Sequence, residues 1–256
     1  MNEQSERNDY RKTSYGDYRF IEREAAVVPE VDQATGARIF VNRVYNWMFC
    51  GLMITALVAW GTAEYAMRGQ SELNQVLGLA MPLIVVEFIL VFILSAAIRK
   101  MSPSVTGALF IGYAALNGFT LSPIFLAYTQ TSIFLAFGSC SLMFAATSVF
   151  GYMTGTDLRS VGSFCFMALI GLVIASLVNL FLRSEFFDYI LSYVGIAVFV
   201  GLTAWDTQKL RMIGEQAGED VQSDSMRKFA ISFALSLYLD FINLFLYLLR
   251  ILGRRR

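Results

Sequence analysis

The chain has no histidine, so it lacks the side chain that most often titrates near neutral pH and that most often ligates zinc and haem. Carboxylates are left as the groups able to answer a change of pH. Only three cysteines occur, Cys50, Cys140 and Cys165, each single within an apolar run. Neither a disulfide framework nor a zinc site is expected from that spacing, and all three read as small membrane-core residues. Net charge is also absent: twenty Lys plus Arg against twenty Asp plus Glu leave no global field to draw in nucleic acid or an acidic surface. The N-terminus offers no short apolar stretch with a small-residue cleavage site, so no signal peptide is expected and the first spanning helix must itself direct insertion.

Apolar residues are what the chain has in excess. They make up 56% of it, mean hydropathy is +0.56, and charges fall in blocks between long apolar runs. That pattern predicts an all-α polytopic membrane protein whose first partner is the lipid bilayer. Residues 1–42 carry six basic and eight acidic residues and read as a disordered, charged tail. Residues 43–256 read as one membrane domain with seven apolar runs, at about 43–66, 76–98, 105–128, 133–153, 161–182, 188–211 and 229–252. No internal repeat suggests an inverted-repeat transporter. Fourteen basic residues fall on the side of the N-terminus and six on the other, which places the N-terminus in the cytoplasm. Seven spans then carry the C-terminus out, against the three arginines Arg254, Arg255 and Arg256; a last run that enters and returns on one side is the alternative.

Within the last run, Phe229 to Leu252, Asp240 stands near the middle. A charge at that depth costs about 3 kcal/mol on insertion scales, so an acid kept there is a functional candidate. Ser232, Ser236, Asp240, Asn243, Tyr247 and Arg250 follow at steps of three or four and form one polar stripe, which must face protein or water. Glu87, in the second run, lies twelve residues before Arg99, and Asp240 lies twelve after Lys228. If both basic residues mark one interface, each acid sits about 18 Å in, and the two are expected to share a polar cavity.

The third run carries Tyr113, Asn117 and Thr120 at helical spacing, then Pro123, which should kink it, with Thr120 and Ser122 satisfying freed backbone groups. In the fourth, Ser141, Ala145, Ser148 and Tyr152 suggest a close helix contact. The fifth, with Gly171, Ser176 and Asn179, gives nothing sharper. Asp206, in the sixth, lies about one turn before Lys209; on the same anchor counting it is shallower than Asp240, and the two miss by about 10 Å.

The blocks VEFILVFILSAAIRKMSP at 86–103, ALNGFTLSPIFLAYT at 115–129, TAWDTQKL at 203–210 and ALSLYLDFINLFLYLLRIL at 234–252 resemble the Bax inhibitor family, specifically its bacterial members. The resemblance implies a seven-helix bundle with the last helix central, in the bacterial inner membrane. It further implies a cation leak, chiefly of calcium, controlled by pH through one aspartate on each of the last two helices, matching Asp206 and Asp240. Bacterial relatives suggest a membrane-bound protease as regulatory partner, and eukaryotic ones suppression of cell death. Where many relatives carry basic residues near the end of the second helix, this chain has Ala96 and Ala97, which leaves Arg99 as the available basic latch.

The leading expectation is therefore a pH-regulated cation path with Asp206, Asp240, Glu87, Arg99, Asn243 and Asn117 along it. No resident cofactor is expected. Calcium is the transported ion, meeting Asp206 and Asp240 only weakly, because it prefers six to eight oxygens. The alternatives are a regulatory scaffold that binds a membrane protease through the tail and an intramembrane aspartyl protease. The second is disfavoured because Trp205 precedes Asp206, and Leu237, Tyr238 and Leu239 precede Asp240, where such enzymes carry Tyr-Asp and Gly-x-Gly-Asp. A retinal protein is excluded, since no lysine follows Lys228.

Overall fold

The computed structural model describes residues 33–97 and 101–254. Seven helices are long and apolar enough to cross a membrane, and no strand occurs among the described residues. They are α1 (Gln33–Ala66), α2 (Gln70–Ala97), α3 (Pro103–Leu121) with its short continuation α4 (Pro123–Ala127), α5 (Gln130–Met153), α6 (Arg159–Leu182), α7 (Glu185–Ala217) and α8 (Asp224–Leu252). A 3-10 turn, Gly218–Gln222, joins α7 to α8.

Residues 1–32 of the expected tail lie outside the described residues. The stretch 33–42 is helical, a correction to the expected boundary at 43. Its composition is mixed, with Arg38 its one charge, and Ala37, Phe40 and, beyond it, Val44 fall at helical spacing and are almost fully buried. Ala37 is the reason α7 carries glycine at 214: a Cβ there would lie 2.6 Å from the Ala37 Cα.

Local chemistry sets the helix ends. Ser102, Thr129 and Ser223 are N-caps whose hydroxyls accept from Val105, Ser132 and Met226 N–H, and Pro103 follows the first of these at a position where its missing N–H costs nothing. The third span breaks at Ser122–Pro123, as the proline predicts. Ser122 Oγ donates to Phe119 O at 2.7 Å, the carbonyl whose partner four residues on, Pro123, has no N–H, whereas Thr120 lies 3.0 Å from Asn117 O but gives its hydrogen to Glu87.

The last helix is the most enclosed. Buried residues make up 61% of its spanning window against 17% to 39% in the other six, and it packs chiefly on α1, α3, α5 and α7. Aromatic contacts build both sides of it. Tyr238 meets Phe110 and Tyr113 edge-on, with Trp47 of α1 on the far side of Phe110; Phe241 meets Phe137 and Phe144 of α5. Such pairs are worth about 1 kcal/mol each beyond their buried area. Because α8 is one unbroken helix of 29 residues, roughly 44 Å long, it leaves on the side opposite to its start, which replaces the re-entrant alternative.

One packing expectation is corrected. On α5 the enclosed face is Ser132, Ala136, Cys140, Phe144, Ser148 and Gly151, while Ala145 is exposed, so the contact face is rotated from the one proposed. Small size misled there: Gly151 is the residue that admits α7, since a Cβ would run into the Ala204 carbonyl. Cys140 and Cys165 are buried, but Cys50 is exposed on the outside of α1.

Candidate functional site

The helices α7 and α8 run antiparallel in direct contact. Near one end Phe199 stacks on Tyr247, ring centroids 6.0 Å apart, and near the other Lys209 Nζ lies 5.2 Å from the centre of the Phe233 ring. From Phe199 to Asp206 is seven residues, and from Tyr247 back to Asp240 is seven, two whole turns on each helix. Both acids therefore sit on the faces the helices turn to one another, at one level. Asp206 is accordingly the charged group whose field acts on Asp240.

This corrects the 10 Å offset expected from anchor counting. The reason is that Lys209 does not mark the end of its helix: α7 continues to Ala217, and the Lys209 ammonium lies over the Trp205 and Phe233 rings. Lys209 is thus no marker of the depth of Asp206.

Asp240 is only 6% exposed, and its Oδ2 has no hydrogen-bond partner among the described residues. The hydroxyl of Ser148, buried on the enclosed face of α5, is the other orphan of this kind. Buried polar atoms are nearly always bonded, so an unpaired carboxylate oxygen is a departure to be explained by what the group does. Asp206 keeps partial exposure. The rest of TAWDTQKL holds α7 in place: Thr203 bonds Phe199 O, Trp205 fills the space left by Gly162, Thr207 meets Tyr45, and Gln208 ties to Leu158 N and Thr156 O at 2.9 and 2.7 Å.

The stripe on α8 continues from Asp240 toward the helix end. Asn243 is half-buried and spends its amide on its own helix, donating to Leu239 O at 2.8 Å. Tyr247 hydrogen-bonds with Ser176, and Arg250 reaches Asp188 at 3.4 Å, an acid that also accepts from Asn179.

Glu87 belongs to a different network, across α8. It accepts from Thr120 Oγ1 at 2.6 Å and from Asn117 Nδ2 at 3.3 Å; Tyr238 donates to Asn117 Oδ1 and shares a 2.7 Å bond with Thr55. Tyr238 and Asp240 are two residues apart, about 200° around the helix, so they face opposite sides. The cavity expected to be common to Glu87 and Asp240 is replaced by two separate polar sites. Asn117 is part of the Glu87 site. Arg99 lies outside the described residues.

Sequence reasoning missed Tyr238 and Thr55, whose only signal was a hydroxyl in each of two apolar runs. Ser148 was read as packing alone. Among the described residues no group of three or more Cys, Asp and Glu is arranged to hold a metal. An apolar cavity of about 460 Å³ opens sideways between α1, α4 and α5 against Phe241, Ile242 and Phe245; no acid lines it, and it is not this site.

Residues 37–256 match the family described as inhibitor of apoptosis-promoting Bax1. The chain belongs to this family. It is 48% identical over 229 residues to the inner membrane protein YbhL of Escherichia coli strain K12, covering 88% of this chain and 96% of that one. It is 43% identical over 218 residues to an uncharacterized protein of Borreliella burgdorferi (85% and 92% covered) and 42% identical over 214 residues to one of Deinococcus radiodurans (84% and 90% covered). The chain is a bacterial-type Bax inhibitor family protein and an integral inner-membrane protein. None of these relatives' names indicates an enzyme activity.

Proposed function

We propose that the chain is a pH-regulated cation leak, with calcium as the principal ion, in which Asp206 and Asp240 form the proton-sensitive gate between α7 and α8. The observation that carries this reading is the buried, unpartnered Oδ2 of Asp240 on the helix face turned to Asp206. Two carboxylates facing each other in a water-poor seam hold one proton between them more readily than they hold two charges. Losing that proton adds repulsion between the last two helices, and gaining it draws them together, which is a two-state element of the kind a gate needs. The polar stripe through Asn243, Tyr247 and Arg250 supplies the continuation of the path, and Asp188 beside Arg250 its far mouth. Glu87, Asn117 and Tyr238, satisfied by one another on the other side of α8, hold the bundle together and are not the gate.

The test is calcium flux into dye-loaded liposomes across a range of pH. Asp206→Asn and Asp240→Asn should each flatten the dependence of leak on pH. Unchanged profiles in both variants would remove the carboxylate pair from the mechanism. Deleting residues 1–32 should leave the leak intact; loss of leak on that deletion would favour a scaffold acting through the tail.

A further inference from the structure

A cavity of about 580 Å³ lies between α1, α3 and α8 at the end of the bundle where all three helices begin, far along α8 from Asp240. Each helix brings a polar residue to its rim and apolar surface one turn deeper: Arg43 then Trp47 on α1, Ser104 then Ala108 on α3, with Ile111 a further turn in, and Arg227 then Ile231 on α8. A rise of about 6 Å separates the two levels.

Both arginines line this cavity, and among the described residues little counter-charge faces them. Arg43 donates to the Val221 carbonyl at 2.9 Å and feels Arg227 as a like charge. Among the described residues Arg227 pairs with Asp224, 3.9 Å away and largely exposed, and a pair of that kind is worth little. Two guanidinium groups on the rim of one cavity fit a phosphate, which takes several donors at once. The α3 N-terminus, with Ser104 on the same rim, adds partial positive charge. The apolar lower half separates a lipid from a free anion: inorganic phosphate has no use for Trp47, Ala108, Ile111 and Ile231, whereas an acyl chain does. In a membrane-spanning chain, a basic rim over an apolar cleft lies at the height where headgroups become tails.

We propose that this cavity binds an anionic phospholipid from the leaflet on the side where α1 begins, its phosphate between Arg43 and Arg227 and the start of one acyl chain along Trp47 and Ile111. This does not rest on the cation path. It is tested by native mass spectrometry of the full chain released from detergent with equal amounts of phosphatidylglycerol and phosphatidylcholine of the same chain length. The wild type should retain phosphatidylglycerol preferentially. Arg43→Gln and Arg227→Gln should each reduce that preference about fivefold, and the two together about thirtyfold. Ala108→Phe, which fills the apolar half and leaves both arginines, should reduce retention of both lipids, and excess inorganic phosphate should displace neither. Equal retention of the two lipids by the wild type would overturn the proposal without any variant being needed. So would an unchanged preference in the double variant, or displacement of phosphatidylglycerol by inorganic phosphate.

Discussion

Tyr238→Phe separates the two sides of α8. Its hydroxyl is fully buried and makes two hydrogen bonds, 2.7 Å to Thr55 and 3.1 Å to Asn117, while its ring lies 5.8 and 5.9 Å from Phe110 and Tyr113. Phenylalanine keeps the ring contacts and removes both bonds. Neither partner is orphaned: Thr55 turns its hydroxyl hydrogen, given to Tyr238 in the wild type, to Ala114 O, 2.8 Å away, and Asn117 still bonds Tyr113 and Glu87. The loss is therefore that of two hydrogen bonds inside a membrane bundle, about 0.6 kcal/mol each, or about 1 kcal/mol together. Asn117→Leu is harsher, because it strips Glu87 of a donor and leaves a buried acid oxygen without one, at about 1 to 3 kcal/mol beyond the bonds themselves. Thermal unfolding in detergent should show a fall of about 2 to 4 °C for Tyr238→Phe and a clearly larger one for Asn117→Leu. Combined, the two should lose less than the sum, since the Tyr238–Asn117 bond is removed only once. The pH profile of leak should stay where it is in both. A larger fall for Tyr238→Phe than for Asn117→Leu would refute the assignment of bonds. A profile displaced as far as by Asp240→Asn would refute the separation of the two networks.

Three further outcomes are expected from the packing of other residues. Glu87→Gln should change stability by under about 1 kcal/mol, because Thr120 can turn its hydroxyl hydrogen to Asn117 O, 3.0 Å away, and accept from the new amide; the same melting assay checks it, with Glu87→Leu expected to cost several times more. Gly151→Ala should destabilise by about 1 to 3 kcal/mol, since its Cβ meets the Ala204 backbone two residues from Asp206. Gly171→Ala, where the added carbon meets nothing, should be neutral or stabilise by up to about 1 kcal/mol in the same measurement.

The seven spans were legible because length and hydropathy are local properties, and the bilayer demands about the same of each. The break at Pro123 and the polar stripe on α8 were legible for the same reason, as one is a missing N–H and the other a period of 3.6. The depth of Asp206 was not. It depends on where α7 stops, and Lys209, which reads as an interfacial anchor, instead lies over two aromatic rings while the helix runs on. Glu87 and Asp240 looked like companions because equal depth says nothing about azimuth; only the partners chosen by Tyr238 show that they lie across the helix from each other. The face of α5 was misjudged because small residues suggested it, whereas Phe144 and Cys140 pack there and a single glycine, Gly151, makes the close approach. The start of α1 was hidden by Gln33, Thr35, Arg38 and Asn42, polar residues spaced among its apolar ones, which hold the local hydropathy below that of the spans.

The most direct test of the account is the pH dependence of calcium leak in liposomes for four proteins: wild type, Asp206→Asn, Asp240→Asn and the double variant. If the two carboxylates act as one proton-sharing unit, either substitution flattens the profile and the double variant is no flatter than the flatter single. Two independent steps, with each single variant losing one and the double losing both, would contradict it.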